Sequence, residues 1–141
     1  MSYFTHKNFI DYALSEDRCD FLDIWLNANC YFGISSGTGL DEVQKSFRRP
    51  LIHTNICTPK EIISSSKTIF SIFKKIKDKK KNRYLSLEQM IDLGVMDFDS
   101  DNQFKKSNLF IEDNTPDEIL SAVIEFEKRN NKEWKESEEY K

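Results

Sequence analysis

The sequence predicts an α/β fold built on a short parallel sheet, and three observations lead there. The small-residue bend Gly33-Ile34-Ser35-Ser36-Gly37-Thr38-Gly39 directly follows the apolar run Cys30-Tyr31-Phe32. Leu40, Val43 and Phe47 then lie on one side of a helix running from Gly39 or Leu40 to Phe47. A second apolar run, Leu51 to Thr54, comes straight after Pro50. Strand, bend, short helix, strand is a βαβ unit, and its two strands should be parallel neighbours.

The remaining elements follow in chain order. Lys7 to Leu14 is compatible with a short helix. Phe21, Ile24, Trp25 and Ala28 fall at i, i+3, i+4 and i+7, so Asp20 to Asn29 reads as a helix capped by Asp20, with Asp23 in its first turn. Tyr31 to Ile34 is too short for a helix and fits a buried strand. Thr58-Pro59-Lys60-Glu61 resembles a helix start that Ser64-Ser65-Ser66 would interrupt. Thr68 to Ile76 alternates imperfectly and reads as either an extended segment or a helix. Ser86-Leu87-Glu88-Gln89 is a capping-box pattern opening a short helix that Gly94 ends. The polar stretch from Asp97 to Lys106 reads as a loop, and Leu109-Phe110-Ile111 as a short strand. Thr115-Pro116-Asp117-Glu118 combines a cap, a first-turn proline and a third-position acid, and Ile119, Ala122, Val123 and Phe126 give the helix that follows an apolar face. Residues 131–141 form a charged tail, although Trp134 calls for something to pack against.

At 141 residues the chain is one domain, without an internal repeat, and eleven phenylalanines favour a real core. The net charge of −3 argues against general nucleic-acid binding. No apolar run approaches the roughly 20 residues of a membrane helix, and the first residues lack the layout of a signal peptide. Cys19, Cys30 and Cys57 form no metal knuckle or redox pair, which reads as reduced thiols in a cytoplasm.

The chemistry centres on the bend. A strand that ends in glycines and opens a helix suits an anionic oxygen: glycine lets a ligand approach the backbone, and the first helical turn offers unbonded amides. Ser35, Ser36 and Thr38 add hydroxyl donors, with Gly37 and Gly39 between and beside them.

Three segments around this bend carry a resemblance: Asp20-Phe21-Leu22-Asp23-Ile24-Trp25-Leu26, then Cys30-Tyr31-Phe32-Gly33-Ile34-Ser35-Ser36-Gly37, then Phe47-Arg48-Arg49-Pro50-Leu51-Ile52-His53-Thr54-Asn55. Arg83-Tyr84-Leu85-Ser86-Leu87-Glu88 and Asp113-Asn114-Thr115-Pro116-Asp117-Glu118-Ile119 fit in the same order. Over about residues 7–130 the chain resembles bacterial surface-polysaccharide glycosyltransferases of the two-domain GT-B fold, and the bend unit is also similar to the nucleotide site of UDP-sugar 2-epimerases. The resemblance implies that residues 1–130 are a partial Rossmann-like, three-layer domain, the C-terminal half of a GT-B fold that binds a nucleotide sugar. Ser36, Gly37 and Thr38 would meet the diphosphate. An acid on the next helix would bind the ribose: Glu42 counting forward from Ser36, or Asp41 counting back from Pro50. The acceptor domain and the first strands of the donor domain have no counterpart here. The chain then reads as a truncated or split product, active in glycosyl transfer only when a missing N-terminal acceptor domain or partner chain completes it. The other readings are a non-catalytic α/β binding module and a fragment of a UDP-sugar 2-epimerase-like enzyme. A nucleoside diphosphate sugar would be the donor substrate, with no cofactor and no metal.

Other charged residues say less. Arg48 and Arg49 read as solvent-exposed. His53, at the C-terminal end of the second strand, is placed to act as a base or to touch a donor, but reads first as a neutral, hydrogen-bonded histidine. Residues 74–83 hold seven basic side chains, from Lys74 to Arg83. They read first as a solvated surface, with anionic lipid head groups at the inner face of the membrane as the partner class to test. No catalytic residue is assigned.

Overall fold

The computed structural model describes residues 6–58, 60 and 66–135. Its central element is a parallel three-stranded sheet of β1 (Gly33–Ser35), β2 (Leu51–Ile56) and β3 (Ile69–Phe73), in that spatial order. Gly33 pairs with Leu51 and Ser35 with His53, and Leu51 in turn pairs with Ile69. Between β1 and β2 the chain forms α2 (Leu40–Ser46), which makes the parallel crossover. β2 is buried because it has a strand on either side and helices on both faces; Leu51 and Ile52 are completely inaccessible.

The two faces are covered differently. α5 (Pro116–Asn130) lies against β2 and β3, and its Phe126 ring meets Phe32 at 5.7 Å and Phe70 at 6.3 Å. On the other face α2 packs on β2, and α1 (Asp20–Asn29) packs on α2. These layers make the fold α/β with a short parallel sheet, consistent with a partial Rossmann-like domain. Because α1 leans on a seven-residue helix, only Ala28 of its apolar face is buried, while Phe21 is 70% exposed. Asp20 is the first helical residue instead of the cap: Cys19 is extended at φ −155° and occupies the cap position, with its carbonyl accepting from the Asp23 amide.

A second sheet follows without a loop. Lys74 alone separates β3 from β4 (Lys75–Asp78), which pairs antiparallel with β5 (Arg83–Tyr84) on one side and β6 (Leu109–Glu112) on the other. Thr68 to Ile76 is therefore extended, as two strands. Ile76, Val95, Phe104 and Leu109 form the core beneath this sheet. α3 (Leu87–Asp92) starts in the expected capping box, with the Ser86 hydroxyl accepting from the Gln89 amide, and Gly94 at φ 66° follows its end. The stretch from Asp97 to Lys106 is not a loop throughout: α4 (Asp101–Lys106) begins in a second capping box between Ser100 and Gln103 and buries Phe104. Its polar surface hid a single buried anchor.

At the N-terminus the expected helix is reduced to one 3₁₀ turn, Tyr12–Leu14. The helix start expected at residues 58–61 and its interruption at 64–66 fall mainly outside the described residues. Trp134 finds its packing partner in Arg129, whose guanidinium lies 4.7 Å from the ring centroid.

β2 is kinked near its end. Its register with β3 shifts between His53 and Ile56, and Asn55 sits at φ 59°. There Asn55 and Asn114 exchange two hydrogen bonds of 2.7 Å, each backbone amide donating to the other's side-chain carbonyl. Asn114 Nδ2 also donates to the Phe73 carbonyl at 2.7 Å, so one side chain ties β2, β3 and the start of α5 together.

Candidate functional site

β1 delivers the chain to the bend and α2 takes it away, so the bend sits at the C-terminal edge of the parallel sheet, where open α/β folds bind ligands. Gly33 lies beneath it, with the Gln44 side chain packed over its Cα. A Cβ there would displace the flexible end of Gln44, which donates from Nε2 to Asn27 Oδ1 at 2.8 Å. Gly37 turns the chain at φ 88°, a backbone that L side chains rarely adopt.

The polar groups behind the bend are connected. Parallel pairing sets Ser35 beside His53, and α2's first turn points Asp41 inward, where it is buried. Asp41 Oδ2 accepts from the Thr38 amide at 3.0 Å and lies 3.1 Å from His53 Nε2. Asp41 Oδ1 accepts from the Thr38 hydroxyl at 3.1 Å, and that hydroxyl is 3.4 Å from Ser35 Oγ. The Thr54 hydroxyl donates to the Ser35 carbonyl at 3.3 Å. A carboxylate only accepts, so His53 faces it with Nε2–H. His53 Nδ1 is buried and has no hydrogen-bond partner among the described residues.

The sequence-derived residues divide into two groups. Ser35 and Thr38 join the network around Asp41, whereas Ser36, Gly37 and Gly39 make no side-chain contact with it and are exposed at the tip of the bend. The amides of Gly37, Gly39 and Leu40 make no hydrogen bond among the described residues. Glu42 turns outward and pairs with Lys45 at 2.7 Å, its side chain 73% exposed. Of the two acids considered for this helix, the one drawn toward the strand edge is Asp41. The Asp41–His53 pairing was missed because it joins positions 12 apart. The register of the two strands, with Ser35 beside His53, was the available signal.

The surroundings are open. A cavity of about 560 Å³ lies past the C-terminal end of β2 and is lined by Cys57, Thr58, Lys74, Asp97 and Phe104 among others. Another, of about 410 Å³, lies between β3 and α5. Neither is lined by residues 35–39. Since β1 and β2 are parallel, the bend and the larger cavity nonetheless occupy the same edge of the sheet. No helix among the described residues is long and apolar enough to cross a membrane.

Comparison with protein-family models, with curated proteins and with solved structures gives no match for this chain.

Proposed function

We propose that the chain is the donor-binding part of a glycosyltransferase that uses a nucleoside diphosphate sugar in surface-polysaccharide synthesis. The observation that carries this reading is the exposed bend of residues 36–39, held at the C-terminal edge of a parallel sheet, where the amides of Gly37, Gly39 and Leu40 make no hydrogen bond among the described residues and the Ser36 hydroxyl is beside them. Donors fixed in place before a pyrophosphate arrives need no reorganisation as charge builds on the departing diphosphate. Thr38 serves differently in this reading. Its amide and hydroxyl are taken up by Asp41, so it anchors the bend while Ser36 and the glycines meet the ligand. The Asp41–His53 pair is the support behind them. Catalysis in this reading would also require an acceptor-binding domain.

Calorimetric titration of the full chain with UDP and the other common nucleoside diphosphates tests this. Weak binding is expected, further weakened by Ser36→Ala combined with Gly37→Ala. No heat with any of them removes the reading and leaves a binding module of other specificity.

A further inference from the structure

The basic run does not lie loose on the surface. It builds β4, the tip of a hairpin and β5. Because strand side chains alternate, Ile76 faces the core while Lys75 and Lys77 face outward. Lys77 is flanked in register by Tyr84 on one side and Phe110 on the other, and both residues are 49% exposed. The Lys77 ammonium lies 5.6 Å from the Tyr84 centroid, and that of Lys79 lies 5.6 Å from the Phe110 centroid. At the tip, Asp78 accepts from the amides of Lys80 and Lys81 at 2.8 and 3.2 Å, closing the turn and leaving the lysine side chains outside.

The seven cations are not equivalent. Lys74 pairs with Asp113 at 2.8 Å and Lys75 with Glu118 at 3.0 Å, and Arg83 sits opposite Asp78 in the ladder. Lys77, Lys79 and Lys80 have no carboxylate partner among the described residues. Seven basic residues and Asp78 give residues 74–83 six net positive charges; with the chain at −3, everything else carries nine negative ones. Positive charge is thus concentrated in this hairpin, although Glu112, opposite Lys75 in the ladder, accepts from the Tyr84 hydroxyl at 2.7 Å on the same face.

We propose that the outer face and tip of the β4–β5 hairpin dock on an anionic phospholipid leaflet, with Lys77, Lys79 and Lys80 toward the head groups and Tyr84 and Phe110 at the interface. Aromatic rings beside lysines suit that boundary, and a protruding tip matches a flat surface. A single-stranded nucleic acid is the weaker fit: it needs a groove and open ring faces for stacking, and here an ammonium lies over each ring.

The test is co-sedimentation of the full chain with phosphatidylcholine vesicles containing 30% phosphatidylserine, in low and high salt, against pure phosphatidylcholine. Binding is expected only with the anionic lipid and is lost in high salt. Replacing Lys77, Lys79 and Lys80 together by Gln should lower the partition about 100-fold, near fivefold for each cation. Lys74→Gln with Lys75→Gln should change it less than threefold. Should the triple variant lose its native circular dichroism, Lys80→Glu alone, at the exposed tip, should still weaken binding more than tenfold. The proposal is overturned by absence of binding to the anionic vesicles, by equal binding to pure phosphatidylcholine, or by equal losses in the two sets of variants. Tighter binding to a polyuridine strand than to vesicles in the same buffer also overturns it.

Discussion

Replacing Asp41 by alanine removes three contacts at once: from the Thr38 amide at 3.0 Å, the Thr38 hydroxyl at 3.1 Å and His53 Nε2 at 3.1 Å. Their losses differ. Thr38 is exposed, so water replaces the carboxylate there at a cost of about 0.5–1 kcal/mol per bond. His53 is only 4% exposed, and its Nδ1 already lacks a partner among the described residues, so the substitution leaves a buried ring with neither nitrogen satisfied. An orphaned buried polar group costs about 1–3 kcal/mol. Summed, Asp41→Ala should destabilise the chain by roughly 2–5 kcal/mol, and Asp41→Asn, which keeps shape and an acceptor, by about half as much. His53→Leu removes the orphan and the pair together. The double variant should therefore fall short of the summed single losses by about 1–2 kcal/mol, as contacting residues do. Urea unfolding followed by circular dichroism measures all four, provided the slope with denaturant is unchanged. If Asp41→Ala costs under about 0.5 kcal/mol, or the two sites add within the ~0.5 kcal/mol expected of independent positions, the buried network is not what holds the bend.

Two further outcomes are expected. Gly37→Ala has open space for the methyl group but forces a φ of 88° on an L residue, so it should cost about 1–2 kcal/mol by the same urea assay, whereas Gly39→Ala should lie within about 0.5 kcal/mol of the parent. The Thr115 amide, and then Lys75, hold the Glu118 carboxyl below its ordinary value of 4.5. Its contribution is thus full above pH 4.5 and fades as the pH falls through the lowered folded value. Glu118→Gln should flatten that acid limb of the stability curve, measured as urea midpoints between pH 6 and pH 3, while a parallel shift at every pH would show that Glu118 does not titrate as described.

The βαβ unit was legible because its signals are local: an apolar run, a glycine bend and a short apolar stripe within about 22 residues. The start of α5 was legible for the same reason, since its capping box closes over three positions. The second sheet was not. β4 meets β6 across more than 30 residues, and the single junction residue Lys74 gave no composition break to mark where one sheet ends. α4 was hidden because its helix rests on one buried residue, Phe104, too few for a periodic pattern. At the bend the residue types were readable but their division of labour was not. Whether Asp41 or Glu42 turns inward depends on how α2 is rotated against β2, which no local spacing encodes.

The junction at Lys74 has a mechanical consequence. β3 and β4 form one nearly unbroken ribbon, pinned at its middle by Asn114 on the Phe73 carbonyl and by Lys74 on Asp113. With no slack between the sheets, a hairpin resting on a support fixes the heading of the whole molecule. The direction in which the Ser36–Gly37 rim looks is then dictated by how the far end of the ribbon is seated, much as a key's bow sets the angle of its bit.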